Sequence, residues 1–88
     1  IGISRTDTME IASRIVRKIL SLRLWDDPES GGCWKRNVME LKESADGPGE
    51  ILAISQFTLY AVTDKGSKPD FHLAMKTEDA RKLFDQTV

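Results

Sequence analysis

The sequence is poor in the residues that build disulfides and zinc sites: it holds one cysteine, Cys33, and one histidine, His72. A lone thiol cannot close an internal disulfide, which fits a reducing compartment, and a single Cys/His couple argues against a zinc site within the chain. No apolar run approaches the roughly 20 residues that a membrane-spanning helix needs, which argues against a membrane protein. Neither sign of charge dominates, with 13 basic and 14 acidic residues and a net charge of −1. A general nucleic-acid binder carries a basic excess to neutralise phosphates, so that class is disfavoured. The balance still leaves room for a protein that grips one end of an RNA. Also missing are a glycine-rich phosphate loop, the His/Glu spacing of a metal site and a nucleophile elbow.

What is present is ordinary globular composition, 40% apolar and 31% charged over 88 residues. That length suits one domain, residues 1–88, with a modest core. The chain opens on Ile1 without a methionine and closes at Val88 inside a helical pattern. It therefore reads as the interior of a longer protein, with no secretory signal in view.

Charge is distributed unevenly. Residues 1–25 carry net +3, residues 26–50 net −4, and residues 51–88 balance. In the first segment, Asp7 and Glu10 have the spacing of a capping-box variant. Ala12, Ile15, Val16, Ile19 and Leu20 follow helical spacing and predict a helix over Thr8–Leu22. Arg14, Arg17 and Lys18 then fall on its other faces, where a solvated surface is the ordinary reading. Asp26–Gly32 is turn-rich, and Trp34–Leu41 accommodates either a short strand or a helical turn around Val38–Met39. Ser44–Gly49 reads as another loop, broken at Gly47-Pro48-Gly49.

From Glu50 onward the pattern changes. Ile51–Ile54 is continuously apolar and Ser55–Tyr60 alternates, which predicts a strand central to a sheet. Thr63–Pro69 reads as a polar loop. Thr77 is placed to cap a second helix, with Glu78 and Asp79 at its positive end and Ala80, Leu83 and Phe84 forming its stripe. Ser55, Gln56 and Thr58 interrupt the apolar strand. On a solvated face they need no partner; buried, each would require a hydrogen bond or cost about 1–3 kcal/mol.

The stretch Ser55-Gln56-Phe57-Thr58-Leu59-Tyr60-Ala61 resembles the signature of the D-aminoacyl-tRNA deacylase family. The loop Lys65-Gly66-Ser67-Lys68-Pro69-Asp70-Phe71 continues it in register, and His72-Leu73-Ala74-Met75 looks like the eukaryotic branch. Asp7-Thr8, Lys18–Trp25, Trp34 and Asn37-Val38-Met39 extend the likeness over essentially the whole chain. Three departures stand out. Ser67 replaces a usual Asn. The family's opening strands do not precede Ile1. Its Gly-Pro-Val-Thr motif does not appear, and Gly47-Pro48 sits in the wrong place to supply it.

The resemblance implies an α+β fold, a curved, mixed, barrel-like β-sheet with two packed helices. It implies hydrolysis of the ester of D-aminoacyl-tRNA, which serves chiral proofreading in translation. It further implies a cytoplasmic homodimer whose partner subunit inserts the Gly-Pro motif, with tRNA as substrate and no metal or other cofactor. Ser55, Gln56, Phe57 and Thr58 would form the catalytic wall. Lys65, Lys68, Pro69, Phe71 and His72 would meet the substrate or its tRNA, with Phe57 bordering the terminal adenine.

Two chemical roles for the wall compete. The Thr58 hydroxyl could attack the ester, which requires an adjacent base that the segment does not offer. Backbone N–H groups could instead stabilise the oxyanion while the ribose 2′-hydroxyl of the tRNA activates water, and this second role is favoured. A non-enzymatic nucleic-acid-binding module on the same scaffold is the competing class. His72 alone reads more readily as structural than catalytic, and Cys33 receives no role.

Overall fold

The computed structural model describes residues 1–41 and 47–88, so the first half of the loop predicted over Ser44–Gly49 lies outside the described residues. They contain two α-helices, α1 (Met9–Ser21) and α2 (Thr77–Thr87), and two 3₁₀ turns, Val38–Leu41 and Phe57–Tyr60. The chain divides into two compact units, one formed by Ile1–Ser13 with Ala53–Val88 and the other by Arg14–Leu52.

Helix α1 lies within a residue of its predicted bounds, but its start is built differently. The Thr8 hydroxyl, not Asp7, accepts the Ile11 amide at 3.4 Å. Asp7 instead turns back to accept the Ser4 amide at 2.8 Å, while its own amide donates to the Ser4 carbonyl at 3.0 Å. The helix is thus entered from a closed Ser4–Asp7 turn. Of the predicted apolar stripe, Ala12, Val16 and Leu20 are half-buried on one i, i+4 row, whereas Ile15 and Ile19 are exposed. Lys18 stands in the last turn, where a cation suits the negative helix end.

In the first unit, Ile3–Arg5 pairs antiparallel with Leu73–Met75. The Arg5 amide donates to Leu73 and the Met75 amide to Ile3, both at 2.9 Å, around a Ser4–Ala74 bridge. Ile3 and Leu83 of α2 are buried. Thr77 is the first residue of α2 and not its cap. Lys76 occupies the capping position without a side-chain bond, and its carbonyl accepts the Ala80 amide at 2.8 Å. Glu78 and Asp79 do lie in the first turn, as the charge pattern predicts.

In the second unit, Trp25 and Arg36 face each other across a hairpin whose turn is organised by one carboxylate. Asp27 accepts the Ser30 hydroxyl at 2.9 Å, the Glu29 amide at 3.2 Å and the Arg36 guanidinium at 3.2 Å. These hydrogen bonds, the Ser30 hydroxyl foremost, hold its carboxyl below the ordinary carboxylate range. Past the hairpin, the Val38–Leu41 turn is closed by a reciprocal cap. The Glu40 amide donates to the Asn37 side chain at 3.1 Å and the Asn37 amide to the Glu40 carboxylate at 3.2 Å. Val38 is buried, and a Cβ on Gly49 would come within 3.0 Å of its side chain, so only glycine allows this approach.

The expected sheet is not there. Among the described residues the only β pairing is three isolated antiparallel bridges, and no strand or barrel forms. Residues 51–56 are irregular, and Phe57–Tyr60 tightens into a 3₁₀ turn. The apolar run expected to be central is exposed, with Leu52 at 86% and Ile54 at 60%. The physical reason is that alternation and β-branching describe a surface able to fit a sheet. A strand exists only when a neighbouring chain takes its N–H and C=O groups.

Candidate functional site

All nine candidate residues fall within the first unit. The segment carrying Ser55–Thr58 is anchored at Gln56, whose amide donates to the Ile1 carbonyl at 2.7 Å. Beyond it the chain coils, the Ala61 amide donating to Thr58 at 3.1 Å. Gly2 lets this turn come close: a Cβ there would lie 2.9 Å from the Tyr60 ring. The first amides of such a turn, those of Phe57 and Thr58, have no acceptor within it. Ser55, Gln56, Phe57 and Thr58 are all exposed, so the three polar side chains among them pay no burial cost. The Gln56 side-chain amide donates to the Thr58 hydroxyl.

The following loop is closed at its neck by Val62 and Asp70, which exchange both backbone bonds at 2.7 and 2.9 Å. Lys65, Lys68 and Pro69 are exposed on this loop, whose tip includes Gly66 at φ 142°, a backbone region that glycine alone enters freely. Neither lysine forms an ion pair with a described residue. The loop's exit is tied to the Ser55–Thr58 segment by aromatic packing. The Phe57 and Phe71 rings meet edge-on, centroids 5.1 Å apart and planes inclined at 70°.

One contact was missed by the sequence reading. Asp70 grips His72 twice, accepting its amide at 2.9 Å and lying 2.8 Å from ring Nδ1. The His72 amide bond, and then the imidazole, hold the Asp70 carboxyl below the ordinary range. The signal was available, because an aspartate two residues before its partner is the spacing of an Asx turn. The structure therefore brings Phe57 to Phe71 and Asp70 to His72. Ser55, Lys65 and Lys68 are exposed, and among the described residues their side chains have no hydrogen-bond or ion-pair partner. Among the described residues no group of three or more His, Cys, Asp or Glu side chains is placed to hold a metal ion, and no helix is long and apolar enough to cross a membrane.

The backbone has a counterpart among solved structures. It superposes on a c-Myc DNA Unwinding Element Binding Protein with a TM-score of 0.80 and 46% identity, covering 99% of this chain and 53% of that one. Over residues 1–88 the chain matches the D-Tyr-tRNA(Tyr) deacylase family, and it belongs to that family. It is 46% identical over 86 residues to a D-aminoacyl-tRNA deacylase of Saccharomyces cerevisiae, covering 98% of this chain and 53% of the yeast protein. To D-aminoacyl-tRNA deacylase 1 of Leishmania major it is 48% identical, covering 97% of this chain and 51% of that protein. To the Homo sapiens protein of the same name it is 49% identical, covering 97% of this chain and 37% of that protein. The chain thus spans about half the length of the first two relatives.

Proposed function

We propose that this chain supplies one wall of the pocket of a D-aminoacyl-tRNA deacylase. The reaction adds water to the ester carbonyl, breaks the bond to the ribose oxygen and returns the proton to that oxygen. A free D-amino acid and a tRNA hydroxyl result. The family match along the whole chain supports this reading. Chiral proofreading in the cytoplasm, by a homodimer acting on the aminoacylated 3′ end of tRNA, is the setting that goes with it.

One observation bears on mechanism above the others. The Thr58 hydroxyl is engaged by an amide donor, the Gln56 side chain, and an amide N–H cannot take up a proton. A hydroxyl without a base is a weak nucleophile. The reading is therefore that Phe57 and Thr58 offer backbone N–H groups to the developing oxyanion, while the substrate's 2′-hydroxyl positions or activates water. Phe57 and Phe71 border the terminal adenine, and Lys65, Lys68, Pro69 and His72 lie along the RNA.

A second reading, a non-enzymatic nucleic-acid-binding paralogue, draws on the name of the solved relative, which speaks of binding a DNA unwinding element. The net charge of −1 weighs against it. Incubating the full-length protein with matched D- and L-aminoacyl-tRNAs separates the two. The deacylase reading expects loss of the D-ester and survival of the L-ester, and an untouched D-ester would sink it.

A further inference from the structure

The Ser55–Thr58 segment is held by residues 1–3, and one of these has no room for a side chain. Ile1 anchors the start of the candidate wall through its backbone. Its nitrogen donates to the Ile54 carbonyl, and its carbonyl accepts the Gln56 amide at 2.7 Å. Two residues on, the Ile3 carbonyl accepts the Met75 amide at 2.9 Å, and Ile3 is buried. Gly2 therefore stands between two fixed points. Opposite it lies the end of the 3₁₀ turn. A Cβ on Gly2 would lie 2.9 and 3.0 Å from Cε2 and Cδ2 of the Tyr60 ring and 3.1 Å from the Leu59 Cβ. Its backbone does not itself demand glycine, since positive φ among the glycines is confined to Gly31, Gly47 and Gly66. What position 2 requires is the space alone.

Within the turn, the Leu59 amide closes on the Gln56 carbonyl at 3.4 Å and the Ala61 amide on the Thr58 carbonyl at 3.1 Å. Leu59 and Tyr60 thus share one coil with the Phe57 and Thr58 amides, which the turn leaves without an acceptor. A methyl group at position 2 cannot be met by retreat of residues 1–3, because both ends of that segment are bonded. The coil must give way, and those two amides move with it. We propose that Gly2 is a positioning residue of the deacylase, which sets where the Phe57 and Thr58 N–H groups meet the developing oxyanion. The proposal rests on the deacylase reading above. Gly2 touches no reacting atom; it acts through Leu59 and Tyr60. Oxyanion donors work at about 2.7–3.1 Å from the charge they stabilise, and a misplacement of about 1 Å costs on the order of 10²-fold in rate.

The test compares the full-length wild type with Gly2→Ala, Tyr60→Ala and the double variant. Two quantities are read for each: the single-turnover rate on D-aminoacyl-tRNA, and the affinity for a tRNA that carries the same D-amino acid through an uncleaved 3′-amide. Gly2→Ala should lower the rate per folded molecule by about 10–10²-fold and leave the affinity for the amide unchanged. A role in stability alone would reduce the folded fraction and spare that rate. Removing the ring should relieve the collision, so the double variant should run close to Tyr60→Ala. If Gly2→Ala does not fold, the double variant carries the test, and it should fold, bind the amide and match Tyr60→Ala. The proposal is overturned by a folded Gly2→Ala variant that keeps the wild-type rate, or that loses affinity as much as rate. A double variant that is unfolded, or far slower than Tyr60→Ala, overturns it too. Wild type decides the reading beneath it. Hydrolysis by wild type with no effect of Gly2→Ala removes the positioning role and leaves the deacylase, whereas a D-ester untouched by wild type removes both.

Discussion

At the scale of single residues, the contacts that organise the candidate site are short-range and mostly edge-on or end-on. Phe71 holds the loop exit to the Ser55–Thr58 segment through one aromatic face. Phe71→Leu keeps apolar bulk but removes the edge-to-face geometry, worth about 0.5–1.5 kcal/mol beyond area burial. Because Phe57 is more than half exposed, the lower end of that range is expected in chemical denaturation of the full-length protein. The larger effect should fall on substrate, as a raised KM with a smaller change in kcat, if the two rings border the adenine. An unchanged KM would show that the pair is structural only. At this scale the sequence was partly legible. The polar break at Ser55, Gln56 and Thr58 could be seen, whereas the bond from Gln56 to Thr58 depends on the coil at Phe57–Tyr60, which alternation does not foretell.

At the scale of elements, helices were readable because their determinants are local. Glu78 and Asp79 mark the start of α2, and Ala80, Leu83 and Phe84 give its inward row, with Leu83 buried. Caps were read less well: Thr8 displaced Asp7, and the Asn37–Glu40 reciprocal cap passed unread although its spacing is a capping box. The expected central strand failed for a different reason, since pairing partners are set by distant segments and not by residues 51–60 themselves. The Trp25–Arg36 hairpin offers a clean test of an element. Asp27 has its carboxyl held below its ordinary value in the folded chain. A depressed folded pKa stabilises above the unfolded value and loses that contribution as pH falls through the folded one. The hairpin should therefore loosen in acid below the ordinary carboxylate range. Trp25 and Trp34 flank the turn and report on it by fluorescence. Asp27→Asn should flatten the acid-side change, and an identical acid transition in that variant would refute the assignment.

At the scale of the whole molecule, the chain's membership of the deacylase family rests on matches along its full length, and the relatives are about twice as long. The family resemblance implies a pocket completed by a motif from a partner subunit, so a homodimer is proposed for the full-length protein. Sedimentation at micromolar concentration should give a dimer, and a monomer would count against that proposal. The central claim is that the Ser55–Thr58 wall works through its backbone and the RNA, not through the Thr58 hydroxyl. It is tested most directly by one comparison of deacylation rates, full-length wild type against Thr58→Ala, each on normal and on 2′-deoxy D-aminoacyl-tRNA. Thr58→Ala keeps the N–H of residue 58 and should retain substantial activity on the normal substrate. The 2′-deoxy ester should be slower by about 10²–10³-fold with either protein, the usual cost of losing a transition-state hydrogen bond or proton relay. A folded, tRNA-binding Thr58→Ala variant without activity, together with normal turnover of the 2′-deoxy ester by wild type, would contradict the account.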